Sequence, residues 1–243
     1  MLNLTPRLRM FAGPNGSGKS TIKSAIREEI LWVYVNPDEI EKEINKFDVF
    51  DFDWFGIQVK KEDIFEFLLG SLLLKKADLL DDVRALKFND NKLSFYSVSN
   101  NSYFSSVIAD FIRQNLAIQR KSFTFETVMS SHDKIDFLKN TKQIGYRNYL
   151  YFVATNDPLI NISRVKYRVA NGGHPVPEDK IISRYYRSLE LLIEAIKYTD
   201  RAYIFDNSLD QQFLLAEITN AKDIELKSTE VPAWFEKYIL DKI

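Results

Sequence analysis

The sequence predicts an α/β fold in which a parallel sheet of about five strands is covered by helices on both faces. Short apolar segments typical of buried strands alternate with amphipathic segments typical of helices. A glycine-rich loop joins the first such pair. In addition, 45% of the 243 residues are hydrophobic, which is enough to bury a large core. We therefore expect residues 1–243 to form a single domain.

The composition excludes several classes of protein. Basic and acidic residues number 33 and 34, so binding of nucleic acid by bulk charge is not expected. The chain has no cysteine, which excludes disulfide scaffolds, thiolate zinc sites and catalytic cysteines. The two histidines, His132 and His174, leave little for a histidine metal site. No apolar segment is long enough to span a bilayer and no signal peptide is evident, so we expect a cytoplasmic protein without a membrane partner.

The strongest motif lies at residues 13–21. Glycine is scarce, with 8 in 243 residues, yet three glycines fall within this segment, GPNGSGKST. It fits the G-x-x-x-x-G-K-[ST] pattern of a phosphate-binding loop. Residues 8–12 predict a buried strand before the loop, and residues 21–30 predict a helix after it. Strand, loop and helix in this order are the arrangement that the motif requires.

This loop predicts binding of ATP and Mg²⁺, because its backbone N–H groups can surround phosphate oxygens. Lys19 is expected to contact the β- and γ-phosphates, and the Ser20 hydroxyl to bind Mg²⁺. The alternative is an ordinary glycine-rich turn before a helix. The predicted nucleotide-binding residues of the loop are Gly13, Pro14, Asn15, Gly16, Ser17, Gly18, Lys19, Ser20 and Thr21.

The other elements follow in order along the chain. Strands are predicted at residues 32–35, 122–127, 149–154 and 202–205, with short strands within 86–98 and a hairpin near 220–223. Helices are predicted at residues 39–47, 64–80, 103–120, 134–144, 158–170 and 180–198, and from Ala233. Residues 47–100 are interpreted as an insertion or cap, and residues 158–190 as a lid. The aromatic residues of 47–67 either belong to the core or line a pocket for a sugar or a base.

Two acidic residues follow predicted strands, at the sheet edge where ligands of α/β folds bind. Asp38 is predicted to bind the substrate and to act as the base that accepts the proton of the acceptor hydroxyl. The alternative is that Asp38 only caps the helix that follows Pro37. Glu126 is predicted to contact the substrate or the water shell of the metal. Its alternative is a surface acid at the end of a strand.

Residues 164–187 form an arginine-rich segment with a net charge of +4. Arg164 and Arg168 are four residues apart on one predicted helix, and Arg184 and Arg187 are three apart on the next. Two helices joined by a glycine turn and lined with arginine suit a lid over a polyphosphate. We predict a catalytic role for the first pair, with Arg168 also binding nucleotide, and substrate binding for the second. The alternative is a solvated helical face, and His174 is interpreted as a turn residue.

Together these segments resemble the zeta-toxin family of P-loop kinases. The segments that carry the resemblance are residues 13–21, Asn36-Pro37-Asp38, residues 123–130 (FTFETVMS), residues 164–187 and Asp206-Asn207-Ser208. The resemblance implies a P-loop NTPase fold with a nucleoside-monophosphate-kinase-like core. It also implies ATP as phosphoryl donor, a hydroxyl of UDP-N-acetylglucosamine as acceptor, and an antitoxin as protein partner.

The resemblance assigns roles by motif position and also has departures. It gives Lys19 and Ser20 the phosphate-loop roles, Asp38 the role of base, Glu126 a substrate contact, and Arg164 or Arg168 the lid role. The toxic members carry E-G-T-x-R after the third strand, whereas this chain has Glu126-Thr127-Val128-Met129-Ser130. The arginine of that motif is missing, and Thr127, a predicted substrate-binding residue, comes one position early. Residues 47–100 match no part of the family pattern.

Three functions are therefore weighed. The leading hypothesis is a kinase that transfers the γ-phosphoryl group of ATP to a hydroxyl of a small molecule, such as a nucleotide sugar. The second is a polynucleotide or nucleoside kinase, which the near-neutral charge weakly disfavours in its polynucleotide form. The third is a non-catalytic ATP-binding module that docks a partner through residues 47–100. Transfer of labelled phosphate to sugars, to oligonucleotides or to nothing distinguishes the three.

Overall fold

A computed structural model describes residues 5–209 and 211–242, which contain ten strands and eleven α-helices. The strands are β1 (Arg7–Ala12), β2 (Val33–Val35), β3 (Val49–Asp51), β4 (Lys87–Asn89), β5 (Lys92–Ser94), β6 (Phe123–Thr127), β7 (Arg147–Ala154), β8 (Arg201–Asp206), β9 (Phe213–Thr219) and β10 (Asp223–Leu226). The helices are α1 (Lys19–Ala25), α2 (Pro37–Phe47), α3 (Lys61–Gly70), α4 (Leu72–Lys76), α5 (Leu80–Ala85), α6 (Ser102–Ile118), α7 (Asp133–Gln143), α8 (Pro158–Ala170), α9 (Glu178–Glu190), α10 (Leu192–Lys197) and α11 (Ala233–Tyr238). Short 3₁₀ turns span Glu28–Ile30, Phe52–Phe55 and Leu240–Lys242.

The chain forms two compact units. The first comprises the described residues within 1–32 and 126–243, and the second comprises residues 33–125. The segment interpreted as an insertion, residues 47–100, falls inside the second unit, and the segment interpreted as a lid, residues 158–190, falls inside the first.

The first unit is built on five strands in the order β10-β9-β8-β7-β1. β1 pairs in parallel with β7, and β7 pairs in parallel with β8, so that Met10 lies opposite Leu150 and Leu150 opposite Ala202. All three of these residues are fully buried. Parallel strands covered on both faces are near-continuous apolar runs, which is why β1 and β7 were recognisable from their sequences.

A terminal hairpin extends this set of strands. β9 and β10 are antiparallel, and β9 is also antiparallel to β8. The turn between them holds Asn220 and Ala221 at φ of 51° and 58°, the left-handed backbone of a tight hairpin turn. Five strands pair in parallel: β1, β7 and β8 belong to the first unit, β2 belongs to the second, and β6 contributes Phe123 to Phe125 to the second unit and Glu126 and Thr127 to the first. Together with the antiparallel β9 and β10, these five strands make seven, somewhat more than the five that the sequence predicts. The predicted α/β class is confirmed.

The second unit contains the parallel pair of β2 and β6 and a small antiparallel sheet in the order β3-β5-β4. Helix α2 packs against α6. Phe50 and Phe52 are fully buried, and Phe52 lies edge-on to Phe111 of α6 at a centroid distance of 5.9 Å. Phe50 and Phe52 are therefore core residues, whereas Phe47 and Trp54 of the same segment are exposed.

Three predicted helices are shorter than expected. Residues 64–80 do not form one helix, because α3 ends at Gly70 and the Ser71 hydroxyl caps a new helix by accepting from Leu74 N at 3.3 Å. A serine at a helix start competes with helix continuation in this way. Similarly, the helix predicted over residues 180–198 is divided between α9 and α10, and α1 ends at Ala25 before a 3₁₀ turn.

The longest described helix, α6, has 17 residues and lies in the core of the second unit. A membrane span needs about 20 predominantly apolar residues. Over residues 5–209 and 211–242, no helix combines the length and the hydrophobicity that crossing a membrane requires.

Candidate active site in the first unit

The loop of residues 13–18 connects the carboxyl end of β1 to the first residue of α1. Gly13 has φ of 141°, and a Cβ there would lie 2.1 Å from the carbonyl oxygen of Val153. Gly18 has φ of 100°, and a Cβ there would lie 2.2 Å from Nδ2 of Asn207. Both positions require glycine, because a side chain would be strained by the backbone and would collide with neighbouring atoms. The motif glycines are thus explained by this fold.

Lys19 is held within the loop that it follows. Its Nζ donates hydrogen bonds to the carbonyl oxygens of Gly13 at 2.9 Å and Pro14 at 3.0 Å, and the side chain is buried. A buried ammonium needs such partners to offset the loss of hydration. The interactions fix one positive charge at the concave side of the loop.

A cleft of about 390 Å³ opens beside this loop, entirely within the first unit. It brings together six of the predicted site residues other than the glycines. These are Lys19, Ser20, Thr21, Glu126, Arg164 and Arg168. The full lining consists of Gly16, Gly18, Lys19, Ser20, Thr21, Glu126, Arg164, Arg168, Asn207 and Gln212. Three cations and one carboxylate at a phosphate-binding loop form a site suited to a polyphosphate.

The two arginines of α8 contact backbone carbonyl groups at the cleft. Arg164 donates from Nη1 to the oxygen of Asn207 at 2.7 Å and from Nη2 to that of Leu209 at 3.3 Å. Arg168 donates to the carbonyl oxygen of His174 at 3.0 Å, which agrees with the interpretation of His174 as a turn residue. Both side chains therefore have defined positions at the cleft wall.

The second pair of arginines is placed differently. Arg184 of α9 approaches the phosphate loop, with Nη1 3.4 Å from Oδ1 of Asn15. Arg187 donates to the carbonyl oxygen of Ser183 in its own helix and is exposed. Neither belongs to the described lining of the cleft. Their role in substrate binding stays a prediction.

Helices α8 and α9 pack against each other through a small apolar cluster of Ile162, Val165 and Ile181. An exposed ion pair between Lys166 and Glu178, at 2.7 Å, joins the same two helices and adds at most about 1 kcal/mol. The arginines are thus presented by a packed pair of helices, and the function of residues 158–190 as a lid stays a prediction.

Asn161 is a site residue that the sequence analysis missed. It is fully buried in α8, and its Nδ2 donates to the carbonyl oxygen of Asn15 in the phosphate loop at 2.6 Å. Its Oδ1 accepts from the Thr155 hydroxyl, and the carbonyl of Thr155 accepts from the Tyr185 hydroxyl at 2.5 Å. Burial raises the pKa of Tyr185, so this hydroxyl stays protonated and remains a donor. The available signal was an asparagine among the apolar residues of α8.

Asn207 and Gln212 lie in the connection between β8 and β9 and also line the cleft. Asn207 donates from Nδ2 to the carbonyl oxygen of Ser17 at 2.8 Å, and its backbone N–H donates to Ala154 at 2.9 Å. Gln212 has a buried Oε1 with no hydrogen-bond partner among the described residues. Asn207 belongs to a segment that the sequence analysis noted, whereas no sequence signal pointed to Gln212.

The carboxylate of Asp206 anchors this connection. Asp206 is buried and accepts from the indole Nε1 of Trp234 at 2.7 Å, from the backbone N of Ser208 at 2.9 Å and from the Ser208 hydroxyl at 3.0 Å. Helix α11, which carries Trp234, is thereby linked to the end of β8 beside the cleft.

We expect Asp206→Ala to lower the free energy of unfolding by about 2 to 3 kcal/mol, because it leaves the buried indole N–H of Trp234 without an acceptor. Urea denaturation followed by circular dichroism measures the change. Trp234→Phe removes the indole N–H itself, so no buried donor is left without an acceptor. We expect this variant to lower the free energy of unfolding by about 1 kcal/mol for the lost hydrogen bond, with any loss of packing in addition. Equal stability of Asp206→Ala and the unmodified chain would contradict this role of Asp206.

Asp38 lies in the second unit, in the first turn of α2. The helix cap is Asn36, whose Oδ1 accepts from Asp38 N at 2.9 Å, and Pro37 occupies the first helical position. The alternative that Asp38 itself caps the helix is therefore wrong, because α2 begins at Pro37 and its cap, Asn36, lies two residues before Asp38. The Asp38 side chain is exposed, and its role as base stays a prediction. Thr127 accepts from Met129 N at 3.1 Å in a local turn, and its predicted substrate contact is untested.

The residues at the cleft fit a magnesium ion. Ser20 and Glu126 line the same cleft and offer hydroxyl and carboxylate oxygens, which are the ligands that Mg²⁺ prefers. Within the described residues there is no cluster of three or more His, Cys, Asp or Glu that could hold a metal. Magnesium in kinases is held by one or two protein ligands together with phosphate oxygens and water, so such a cluster is not required.

Comparison with known proteins gives a family match. The sequence model of the zeta toxin family matches residues 81–214, which is more than half of the chain. The matched range includes β6 with Glu126, the arginines of α8 and α9, and Asn207. The phosphate loop and Asp38 precede it.

A curated relative is an uncharacterized protein of Haemophilus influenzae. It is 34% identical to this chain over 67 residues, which cover 28% of this chain and 48% of that protein. The match therefore spans about half the length of the relative.

Two solved structures share the fold. The complex of AvrRxo1-ORF1 and -ORF2 with ATP aligns with 97% of this chain and 64% of the matched chain, with a TM-score of 0.56 and 15% identity. A structure of the PezAT toxin–antitoxin system of Streptococcus pneumoniae aligns with 98% of this chain and 80% of the matched chain, with a TM-score of 0.50 and 13% identity. At these identities the likeness concerns the fold alone.

Proposed function

Since this chain belongs to the zeta toxin family, we propose that it is an ATP-dependent phosphotransferase. It transfers the γ-phosphoryl group of ATP to a hydroxyl of a small molecule, and a nucleotide sugar such as UDP-N-acetylglucosamine is the proposed acceptor. The AvrRxo1-ORF1 and -ORF2 complex of the same fold is described with ATP, which supports ATP as the donor.

The convergence of three cations on one cleft carries the proposal. Lys19 comes from α1, and Arg164 and Arg168 come from α8, yet all three line the cleft beside the phosphate loop. Three cations against the single carboxylate of Glu126 give the lining of the cleft a net positive charge, which favours binding of an anion. A polyphosphate is the anion that a loop of this sequence binds.

The residues of the first unit neutralise and orient the donor. Lys19 and Arg168 offset the negative charge that moves onto the β–γ bridging oxygen as its bond to the γ-phosphorus breaks. Arg164 contacts the connection after β8 as well as lining the cleft, so it also supports the cleft wall. Ser20 and Glu126 would hold a magnesium ion or its water shell, and the ion would supply further positive charge to the phosphates.

Asp38 keeps the role of base that the sequence predicts. It accepts the proton of the acceptor hydroxyl as the oxygen of that hydroxyl bonds to the γ-phosphorus, and ADP leaves with the bridging oxygen. The exposure of its carboxylate in the first turn of α2 is compatible with access to a substrate.

An antitoxin protein is the proposed macromolecular partner. This part of the proposal is supported by the family and by the PezAT neighbour, which is described as a toxin–antitoxin system. A toxic effect on the host cell and a cytoplasmic location belong to the same proposal.

A phosphorylation assay on a metabolite extract tests the proposed function. The purified protein is incubated with γ-labelled ATP, magnesium and a bacterial extract, and the labelled product is identified by mass spectrometry. We expect one dominant small-molecule product that carries an additional phosphoryl group on a sugar hydroxyl. The Lys19→Met variant serves as the control for contaminating kinases.

The assay also decides between the competing functions. Labelling of an oligonucleotide 5′-hydroxyl but of no sugar would identify a polynucleotide kinase instead. Binding of ATP without any labelled product would support a non-catalytic ATP-binding module. Either result would overturn the proposed acceptor class.

A further inference from the structure

Two asparagine side chains from other elements donate hydrogen bonds to backbone carbonyl groups of the phosphate loop. Nδ2 of Asn161, in α8, donates to the carbonyl oxygen of Asn15 at 2.6 Å. Nδ2 of Asn207, after β8, donates to the carbonyl oxygen of Ser17 at 2.8 Å. The activity proposed above assigns no role to either asparagine, so these contacts at alternate residues of the loop need an explanation of their own.

The glycines of the loop make its order depend on such contacts. Gly13, Gly16 and Gly18 have φ of 141°, 75° and 100°. Glycine loses more conformational freedom on ordering than any other residue, so a loop with three glycines is costly to hold in one conformation. Anchors from packed elements order the loop when the chain folds, and a ligand then does not have to order it on binding.

Both anchors are themselves held in place. The Asn161 side chain is fully buried, and its Oδ1 accepts from the Thr155 hydroxyl, which directs Nδ2 at the loop. The backbone of α8 also lies against the loop, since a Cβ at Gly16 would lie 2.6 Å from the carbonyl oxygen of Asn161. Asn207 is half-buried, and its backbone N–H donates to the carbonyl oxygen of Ala154 at 2.9 Å. The loop is therefore tied to α8 and to the end of β7.

The two contacts also hold carbonyl groups that would disfavour a phosphate. Nζ of Lys19 donates to the carbonyl oxygens of Gly13 and Pro14, so side chains hold four carbonyl groups of the loop when the two asparagine contacts are added. A carbonyl oxygen has a partial negative charge and repels a phosphate that it faces. Side-chain donors that hold these oxygens favour the N–H groups of the loop as the groups that meet the phosphate oxygens.

From these observations we infer that Asn161 and Asn207 are positioning residues, which hold the phosphate loop in its binding conformation before the phosphoryl donor arrives. The inference rests on the proposed function, since it concerns the site of the donor in that reaction. Asn161 is outside the described lining of the cleft, so it acts through the backbone of the loop. The affinity for the polyphosphate is thus set partly by residues far from the loop in the sequence.

Amide hydrogen exchange of the protein without nucleotide tests the order of the loop. We expect peptides that cover residues 13–21 to exchange about fivefold faster or more in Asn161→Leu and in Asn207→Leu than in the unmodified chain. Leucine has nearly the size of asparagine but donates no hydrogen bond, so each variant removes one anchor. Peptides of α6, which lies in the second unit, serve as the internal reference and should exchange at an unchanged rate.

Calorimetry with ATP and with inorganic tripolyphosphate, each with magnesium, measures the consequence for binding. A loop that is ordered for only part of the time lowers the apparent affinity by the ordered fraction, so we expect each variant to bind both ligands about tenfold more weakly. The factor should be the same for both ligands, because the loop contacts phosphates and not the nucleoside. In phosphotransfer assays the KM for ATP should rise by a similar factor, while kcat at saturating ATP stays within about threefold.

Asn148 provides a matched control in the same unit. It is fully buried in β7, and its Nδ2 donates to the carbonyl oxygens of Leu138 at 2.7 Å and Tyr198 at 2.9 Å. Asn148→Leu removes a buried amide that holds other backbone carbonyl groups, so we expect lower stability with unchanged loop exchange and unchanged ligand affinity. Thr155→Val removes only the hydroxyl that directs Asn161, and we expect it to weaken binding of both ligands about twofold to threefold.

Several outcomes would overturn the inference. These are unchanged loop exchange in either leucine variant, unchanged affinity where the unmodified chain binds ATP, weaker binding of ATP with normal binding of tripolyphosphate, and an equal loss of affinity in Asn148→Leu. Circular dichroism establishes that each variant is folded, and Asn207→Leu with Thr155→Val decides the matter if Asn161→Leu does not fold. Because the exchange experiment contains no nucleotide, faster loop exchange in the variants without any phosphotransfer by the unmodified chain would count against the proposed function alone.

Discussion

Replacement of Lys19 by methionine is expected to reduce turnover by about a thousandfold. The phosphate loop holds this ammonium in place through hydrogen bonds to the carbonyl groups of Gly13 and Pro14. Methionine has a similar length but neither the charge nor the donors, so the charge that develops on the donor phosphates is left unbalanced. Steady-state transfer of labelled phosphate measures the loss, and calorimetry of ATP binding shows how much of it arises before the chemical step.

A matched control for Lys19 is available in the same helix. Lys23→Met removes a lysine from the last turn of α1 that is not among the residues lining the cleft. We expect its turnover to stay within about twofold of the unmodified chain, as for surface substitutions of small energetic effect. Comparable activity in both variants would show that the cleft is not the site of phosphotransfer.

Asp38→Asn is expected to lower turnover by about a hundredfold to ten-thousandfold, the range contributed by a positioned general base. The affinity for ATP should change little, because the proposed donor contacts come from the first unit. Asparagine keeps the size of the side chain but cannot accept the proton. Stopped-time assays with the acceptor identified in the extract experiment, together with calorimetry of ATP binding, measure the two quantities.

The control for Asp38 separates catalysis from helix stability. Asn36→Ala removes the actual cap and is expected to destabilise the chain by about 1 kcal/mol. Near-normal transfer by Asp38→Asn would rule out Asp38 as the base.

Residues 8–21 show what could be predicted from the sequence. This segment combines an apolar strand, three glycines at fixed positions and a lysine at the helix start. All three features are explained by one structure, a phosphate-binding loop between β1 and α1. The positive φ values of Gly13 and Gly18 are requirements of the local backbone, so the sequence pattern carries them directly. The sequence does not settle the role of Asp38, because an aspartate after proline suits both a helix cap and a functional residue. Whether Asp38 is the cap depends on which residue begins α2.

Asn161 and Gln212 show what could not be predicted. The contact between Nδ2 of Asn161 and the carbonyl of Asn15 joins residues 146 positions apart in the chain. Gln212 follows a strand that the sequence identified, yet its place beside Gly18 depends on the path of the connection after β8. Polar residues of this kind have no periodicity of their own, so their partners become evident only from the packed elements.

The amino-acid sequence by itself determined the α/β class, the glycine-rich loop and most of the strands and helices, because these depend on local backbone requirements and on apolar periodicity. Only the tertiary structure decided that Arg164 and Arg168 share a cleft with Lys19 and that Arg187 does not line it. Such groupings depend on how elements distant in the chain pack, and a polar or aromatic side chain is equally compatible with many packings until the core fixes one of them.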